Sequence, residues 1–310
     1  MEKTIIVIGD VMLDVHTFGK IDRINPEAPV PILTREFDKK SLGGAGNLVV
    51  NLKNLGVDVT LLTAIGTDSE GDDIKQLVED LNIKTLFVQD GRPTTIKQRF
   101  IADTYNQQVL RVDREVTTQL SSEYVDNLIK YVKEKNPTIV VLSDYNKGVV
   151  GKYLIENLKK NYSGKILIDP KKFNLGYYND LFLVKYNINS AQQRLNKSID
   201  YTNESQLKSA AKELALVSNS NIIITLAEKG SVLYDKENDF FYKVNSSLSE
   251  VHDVSGAGDT FLSALTYAVL NDYSLKNALE LANKASGIVV GKVGTVPITY
   301  KELFDDKEEK

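Results

Sequence analysis

Short apolar runs rich in β-branched side chains recur along the chain: TIIVIG (4–9), VTLLTAIG (59–66), TIVVLSD (138–144), KILID (165–169), LFLV (181–184) and NIIITL (221–226). They lack the alternation of a half-wet strand, which predicts strands buried on both faces. Between several of them, as in SEYVDNLIKYVKEKN and ESQLKSAAKELALVSN, apolar positions return at three- and four-residue steps, the period of a helix with one buried stripe. Strands alternating with helices imply right-handed βαβ crossovers, an α/β fold and a mainly parallel sheet. Ligands of such sheets bind beyond the carboxyl ends of the strands.

Two stretches depart from this rhythm. Residues 14–37 are strand-like and punctuated by the prolines of NPEAPVPIL, while TTIKQRFIA and QQVLRVD alternate as half-exposed antiparallel strands joined by the turn DTYN. They predict a small β-sheet, from about 14–37 and 94–113, projecting from the main body. A sheet with one wet face can close over a site as a lid or pair with a second copy, so a homodimer through it is expected. No repeat, low-complexity linker or clean boundary divides the 310 residues, and a single domain over 1–310 is expected.

Composition narrows the chemistry. With no cysteine and only two histidines, His16 and His252, far apart, disulfides and thiolate or zincin-type metal sites are excluded. Any metal should be a hard cation held by oxygen. A net charge of -4 with scattered basic residues gives no general drive toward nucleic acid. No apolar run is long enough for a membrane span and MEKTIIVIGD lacks a signal cleavage site, so a cytoplasmic protein with no membrane partner is expected. The acidic end DDKEEK reads as a frayed terminus.

The segment DVSGAGDT (253–260) places Gly256, Ala257, Gly258 and Asp259 directly before the apolar run FLSALTYAVL. A nearly side-chain-free turn opening a helix exposes unpaired amides, and the helix dipole adds roughly half a positive charge there, so the turn is a candidate anion hole. Asp259 could take a proton from a hydroxyl while that hole steadies a transferring phosphoryl group; a capping aspartate is the plainer alternative. A second glycine-rich segment, GGAGN, offers Gly43, Gly44 and Gly46 for close approach of a substrate and Asn47 as donor and acceptor to sugar hydroxyls. It has neither G-K-[ST] nor G-x-G-x-x-G spacing, so Walker and Rossmann sites are unsupported. Asp14 could hold vicinal hydroxyls or cap a turn. Lys97 and Arg99 alternate onto one face of the lid, toward a substrate phosphate or toward solvent.

Taken in order, GDVMLD, RINPEAPVPIL, LGGAGN, NQQVLRVD, LSDYNKGV, IDPK and DVSGAGDT resemble the motifs of the ribokinase-like (PfkB) sugar kinases over about residues 4–298. RINPEAPVP and LSDYNKG resemble the branch that acts on D-glycero-D-manno-heptose 7-phosphate. The resemblance implies a ribokinase-like three-layer fold with a mainly parallel central sheet and a β-sheet lid. It implies ATP as phosphoryl donor with Mg2+, Asp259 as catalytic base, and Gly256, Ala257 and Gly258 as the anion hole. It also places Asp14, Gly43, Gly44, Asn47, Lys97 and Arg99 around the sugar phosphate and Lys171 near the nucleotide phosphates. By the same analogy Thr225, Glu228, Gly230 and Asn283 border the nucleotide. Some heptose enzymes carry a nucleotidyltransferase domain after the kinase, and none is expected within this chain.

One position departs from the family pattern. Where members carry Asn-x-x-Glu, which helps hold hydrated magnesium, this chain has Asn187 followed by Ser190. Asn187 is thus left as a water-mediated magnesium partner without the acid, and magnesium favours a carboxylate or phosphate among its ligands. Lys185 adds a positive charge nearby that could partly substitute for a metal. The expected activity is phosphorylation of the anomeric hydroxyl of a heptose 7-phosphate. The alternatives are a kinase of another sugar or sugar phosphate, and a degenerate kinase that binds nucleotide or sugar phosphate without turnover.

Overall fold

The computed structural model describes residues 3–103, 106–171, 176–246, 254–292 and 296–305. Residues 104–105 of the turn DTYN, His252, Asp253 and residues 306–310 of the acidic end lie outside them. The larger sheet runs, in spatial order, β5 (Lys84–Val88), β4 (Asp58–Ala64), β1 (Thr4–Gly9), β8 (Ile139–Ser143), β9 (Lys165–Asp169), β10 (Leu183–Asn187), β11 (Asn221–Thr225), β12 (Ser231–Asp235) and β13 (Phe240–Val244). From β5 to β11 every pairing is parallel; β12 and β13 are antiparallel additions at one edge.

Five of the six apolar runs that read as doubly buried strands form strands over most of their length; of LFLV only Leu183 and Val184 do, and that strand runs on to Asn187. Along β1, Ile5 and Val7 enter one core and Ile6 and Ile8 the other; β8 splits Ile139 and Val141 from Val140 and Leu142 in the same way. The first core is closed by α1 (Ala45–Asn54), α2 (Ser69–Asp80), α7 (Ala257–Leu270) and α8 (Leu275–Val290), and the second by α3 (Ser122–Lys135), α4 (Lys152–Asn161) and α6 (Glu204–Ser218). This is the three-layer α/β arrangement the sequence predicts. Two shorter helices complete the description: α5 (Ile188–Leu195) follows β10, and α9 (Tyr300–Phe304) opens with a Thr299/Glu302 capping box.

The smaller sheet has the order β3 (Pro31–Gly44), β2 (Val11–Ile24), β6 (Ile96–Ala102), β7 (Gln107–Arg114). β2 pairs antiparallel with β3 and parallel with β6, and β6 pairs antiparallel with β7. Its first two strands run well past the expected 14–37. The prolines explain this: Pro26 lies in the hairpin end and Pro31 is the first residue of its strand, positions where a missing N–H costs no ladder bond. Asp14 therefore sits inside a strand and caps no turn.

The chain leaves β1, builds the lid, α1, β4 and β5 on one side, and then passes to β8 on the other side of β1. Strand order reverses between β1 and β8, so a crevice opens at their carboxyl ends. The lid rises from its rim.

Candidate active site

Gly256, at φ 78, lies in the left-handed region and turns the chain into α7 without a side-chain cap. The Ala257 amide donates back to the Val254 carbonyl at 3.3 Å, whereas no described backbone carbonyl takes the amides of Gly258 and Asp259. A helix start leaves such donors unpaired and carries the positive end of the dipole. A Cβ on Gly258 would meet nothing closer than the Lys185 Nζ, at 3.6 Å, so the turn is open to a ligand and one ammonium already stands beside it.

Asp259 is the third residue of α7 and does not cap it. Its side chain is 5% exposed and turns toward the crevice, where Oδ2 accepts from Asn47 Nδ2 at 2.9 Å and Oδ1 accepts from the Tyr145 hydroxyl at 2.6 Å. Burial pushes its pKa up to about 6, with the Asp169 charge adding to the rise, while both hydrogen bonds and Lys185 oppose it. Asn47 lies within the first turn of α1 and is itself steered: Asn51 Nδ2 donates to the Asn47 carbonyl at 2.8 Å and to its Oδ1 at 3.1 Å. Asn51 Oδ1 then accepts the Ile298 amide at 2.8 Å and the Thr260 hydroxyl at 3.3 Å, tying α1, α7 and the chain before α9 together under the base.

On the lid side of Asp259 lies a pocket of about 170 Å³. Asp14, Gly43, Gly44, Asn47, Lys97 and Arg99 all line it. Arg99 Nη1 donates to Asp14 Oδ1 at 2.9 Å, and Gly43 leaves the room this needs, since a Cβ there would collide with Asp14 Oδ2 and crowd Met12. Lys97 makes no salt bridge with a described residue; its Nζ lies 5.3 Å from the Tyr145 ring centroid, and burial pulls its pKa down. A half-buried ammonium that lines a pocket, with the Asp14 and Asp113 charges nearby but no described salt bridge, suits an anionic ligand. Arg111 and Asp113, bonded to each other, lie opposite Arg99 and Lys97 on β7.

On the other side of the α7 mouth is a larger cavity of about 320 Å³, lined by Thr225, Glu228, Gly230 and Asn283 together with Val254, Ala257, Gly258 and Phe261. The four residues expected to border a nucleotide thus share one cavity. Asn283 is oriented by the Ser231 hydroxyl and the Asn245 carbonyl.

Lys171 and Asn187 line neither space. Lys171 donates its amide to Asp144 Oδ2 at 3.2 Å and its Nζ lies 6.0 Å from the centroid of the Tyr145 ring. Asn187 pairs in register with Thr225 and caps α5, its Oδ1 accepting the Ser190 amide at 2.8 Å and the Ser190 hydroxyl at 2.9 Å. The carboxylate at the end of β9, Asp169, is held by Lys185 Nζ at 2.5 Å. No cluster of three acidic, histidine or cysteine side chains able to hold a metal exists among the described residues. The donors present therefore do not fit a resident magnesium ion: the amide oxygen is engaged, the acid is absent and the neighbouring carboxylate is paired.

Tyr145, Asn51, Asp10 and Asp144 are site residues that sequence reading misses. Asp10, just past β1, accepts the amides of Tyr145 (2.8 Å), Lys147 (3.0 Å) and Val149 (3.0 Å) and so holds the loop after β8. Asp144 accepts the Asn146 amide at 2.7 Å and the Tyr178 hydroxyl at 2.7 Å. A usable signal exists: each aspartate directly follows an apolar strand, where ligands of parallel sheets bind.

Comparison with known proteins extends this geometry. The model of the pfkB family of carbohydrate kinases matches residues 2–301. The bifunctional protein HldE of a Nitratiruptor species is 38% identical over 311 residues, which cover 98% of this chain and 64% of the relative. The chain thus spans a little under two thirds of that relative's length. Among solved structures, phosphofructokinase-2 from Escherichia coli superposes with a TM-score of 0.82 at 20% identity, over 98% of this chain and 97% of that one. Ribokinase from Thermotoga maritima superposes at 0.77 and 19% identity, over 97% and 98%. At such identities these two establish the fold alone.

Proposed function

The chain belongs to the pfkB family of carbohydrate kinases, and from that premise we propose that it transfers the γ-phosphoryl group of ATP to the anomeric hydroxyl of D-glycero-D-manno-heptose 7-phosphate. One observation carries the reading: a buried carboxylate at the mouth of a helix, Asp259, lines a pocket that also holds Lys97, Arg99 and Asp14, while its neighbours Ala257 and Gly258 line a second cavity in which Glu228 is the one charged residue among those described. The first suits an acceptor that already bears a phosphate, placed on Lys97 and Arg99; the second suits a nucleoside triphosphate with its base between Glu228, Gly230 and Asn283. The heptose itself is proposed from the resemblance of RINPEAPVP and LSDYNKG.

In the reaction, Asp259 takes the proton of the anomeric hydroxyl as that oxygen bonds to the γ-phosphorus and the bond to the ADP oxygen breaks. The amides of Gly258 and Asp259 face the charge that develops on the phosphoryl oxygens, and the Lys185 ammonium adds to their field. Lys171, beside the Tyr145 ring, is read as a contact to the nucleotide phosphates from the resemblance of IDPK. The lid strands exclude water from the acceptor, which disfavours transfer to solvent. No step is assigned to a resident metal. In the same reading two copies pair through the lid, whose strands leave Phe37, Leu110 and Val112 about half exposed.

The test is ADP release with magnesium-ATP and the heptose 7-phosphate, run beside ribose, fructose 6-phosphate, a blank without sugar and Asp259→Asn. Heptose-dependent turnover lost in the variant is the expected result; turnover with another sugar alone removes the heptose assignment, and silence with every sugar removes catalysis. Lys97→Ala should raise KM for the phosphorylated sugar by about 10- to 100-fold while leaving KM for ATP within about twofold, since one charge-assisted phosphate contact is lost. Equal effects on both substrates would show that Lys97 does not belong to the acceptor side.

A further inference from the structure

We propose that Tyr145 is a positioning residue for the reaction: its hydroxyl keeps Asp259 aimed and ionised, while its ring carries the two lysines that flank the acceptor and donor sides. The proposal rests on the kinase reading and adds to it a residue outside the glycine turn.

The geometry has three parts. First, Tyr145 donates to Asp259 Oδ1 at 2.6 Å while Asn47 takes Oδ2, so the carboxylate is clamped from two elements and its plane is set before any substrate arrives. Second, the tyrosine is itself fixed through its backbone. Asp10 accepts the Tyr145, Lys147 and Val149 amides, which ties the loop to the end of β1. Third, the ring lies under both cations, 5.3 Å from Lys97 Nζ and 6.0 Å from Lys171 Nζ at its centroid. One side chain thus bonds the base and stands beneath Lys97 and Lys171, and its neighbours give it no reason to ionise. Burial and the charges of Asp259, Asp169 and Asp14 hold its phenol well above the ordinary tyrosine range, so it remains a donor.

A phenol that stays protonated beside a carboxylate favours the ionised form of that carboxylate. The other charges facing Asp259 are Asp169 from β9, which disfavours it, and Lys185 from β10, which favours it; Asp14 from β2 and Lys97 and Arg99 from β6 lie across the pocket, Arg99 paired with Asp14. Removing the phenolic hydroxyl leaves burial and Asp169 opposed only by Asn47 and Lys185. The carboxyl pKa should then rise by about one to two units above its present value near 6.

Two variants separate the roles. Tyr145→Phe keeps the ring and deletes the hydroxyl; Tyr145→Leu deletes both. In Tyr145→Phe the acid limb of the kcat/KM profile should move up by about one to two pH units, with turnover depressed about tenfold or more at about pH 6 and largely restored at about pH 8.5. KM for either substrate should change little. Tyr145→Leu should show the same displacement and, in addition, a several-fold rise in KM for both the sugar phosphate and ATP as the lysines lose their support. A carboxyl carbon-13 titration of Asp259, assigned by its loss in Asp259→Asn, reads the same shift with no substrate present. If no sugar is phosphorylated, the titration still decides the role of the hydroxyl. A titration and an acid limb both unmoved in Tyr145→Phe, in a folded protein, overturn the proposal whatever the substrate proves to be.

Discussion

Two neighbouring regions of the crevice are each built around a buried aspartate, and the contrast between them separates scaffold from chemistry. Asp10 at the end of β1 is 1% exposed and Asp259 at the mouth of α7 is 5% exposed; burial pushes both to about 6. Their partners differ in kind. Asp10 is met by three backbone amides, groups that donate and can do nothing else, and the product is a rigid loop. Asp259 is met by an amide side chain and a hydroxyl, and a hydroxyl both donates and accepts. The second carboxyl can change protonation state or yield a lone pair to a substrate without leaving a neighbour stranded. Similar burial produces a staple in one region and a candidate base in the other.

The largest expected effect is on the base. Asp259→Asn should lower kcat by roughly 10²- to 10⁴-fold. Its stability should not fall, because the new amide can face Asn47 with its oxygen and donate its nitrogen to the Tyr145 oxygen. At about pH 8 its melting temperature should equal or exceed that of the parent; a marked drop would mean that Asp259 is as structural as Asp10.

Asp10→Asn should do the reverse. Its amide nitrogen would face a backbone N–H with no acceptor, costing about 1–3 kcal/mol, read as a lowered denaturant midpoint. Turnover should suffer only as far as the loop carrying Tyr145 loosens. The same two groups set the pH dependence of the parent. Both folded pKa values lie above the ordinary 3.8, so the folded state binds more protons than the unfolded chain between about 4 and 6. Stability contributed by these groups therefore falls as pH rises through that window, by on the order of 3 kcal/mol each, and is level above it. Activity should move oppositely, kcat/KM rising with pH through about 6. A stability curve in Asp259→Asn with the same slope as the parent would assign the whole effect to Asp10 and its surroundings.

What the sequence reveals, and what it hides, follows the same division. β1, β8, β9 and β11 are legible almost to the residue because both faces are buried and their apolar runs are unbroken. β5 and β13 are not, since as edge strands they are mostly half exposed and carry polar or aromatic residues that suit loops as well. The glycine turn before α7, the lid cations and the four residues of the larger cavity are legible through motif and resemblance. Tyr145 and Asp10 are not: they meet their partners across 114 and about 135–139 residues, and no local pattern encodes a contact of that span. Asn187 keeps its place at a strand end and caps α5 through the backbone amide of residue 190, to which the Ser190 hydroxyl adds a second bond.

The lid has a mechanical side. β2 starts just past the end of β1 and β3 runs directly into α1, so both strands are rooted in the core and free at the far end, in the manner of a cantilever. Fourteen residues of strand reach about 45 Å, whereas Asp14 stands only about 10 Å from the root. Any rocking about that root moves the tip at Ile24 roughly four times as far as it moves Asp14. The side chains that would touch a sugar sit near the fulcrum, where displacement is least, so the outer arm can sweep widely while their aim at Asp259 is barely disturbed.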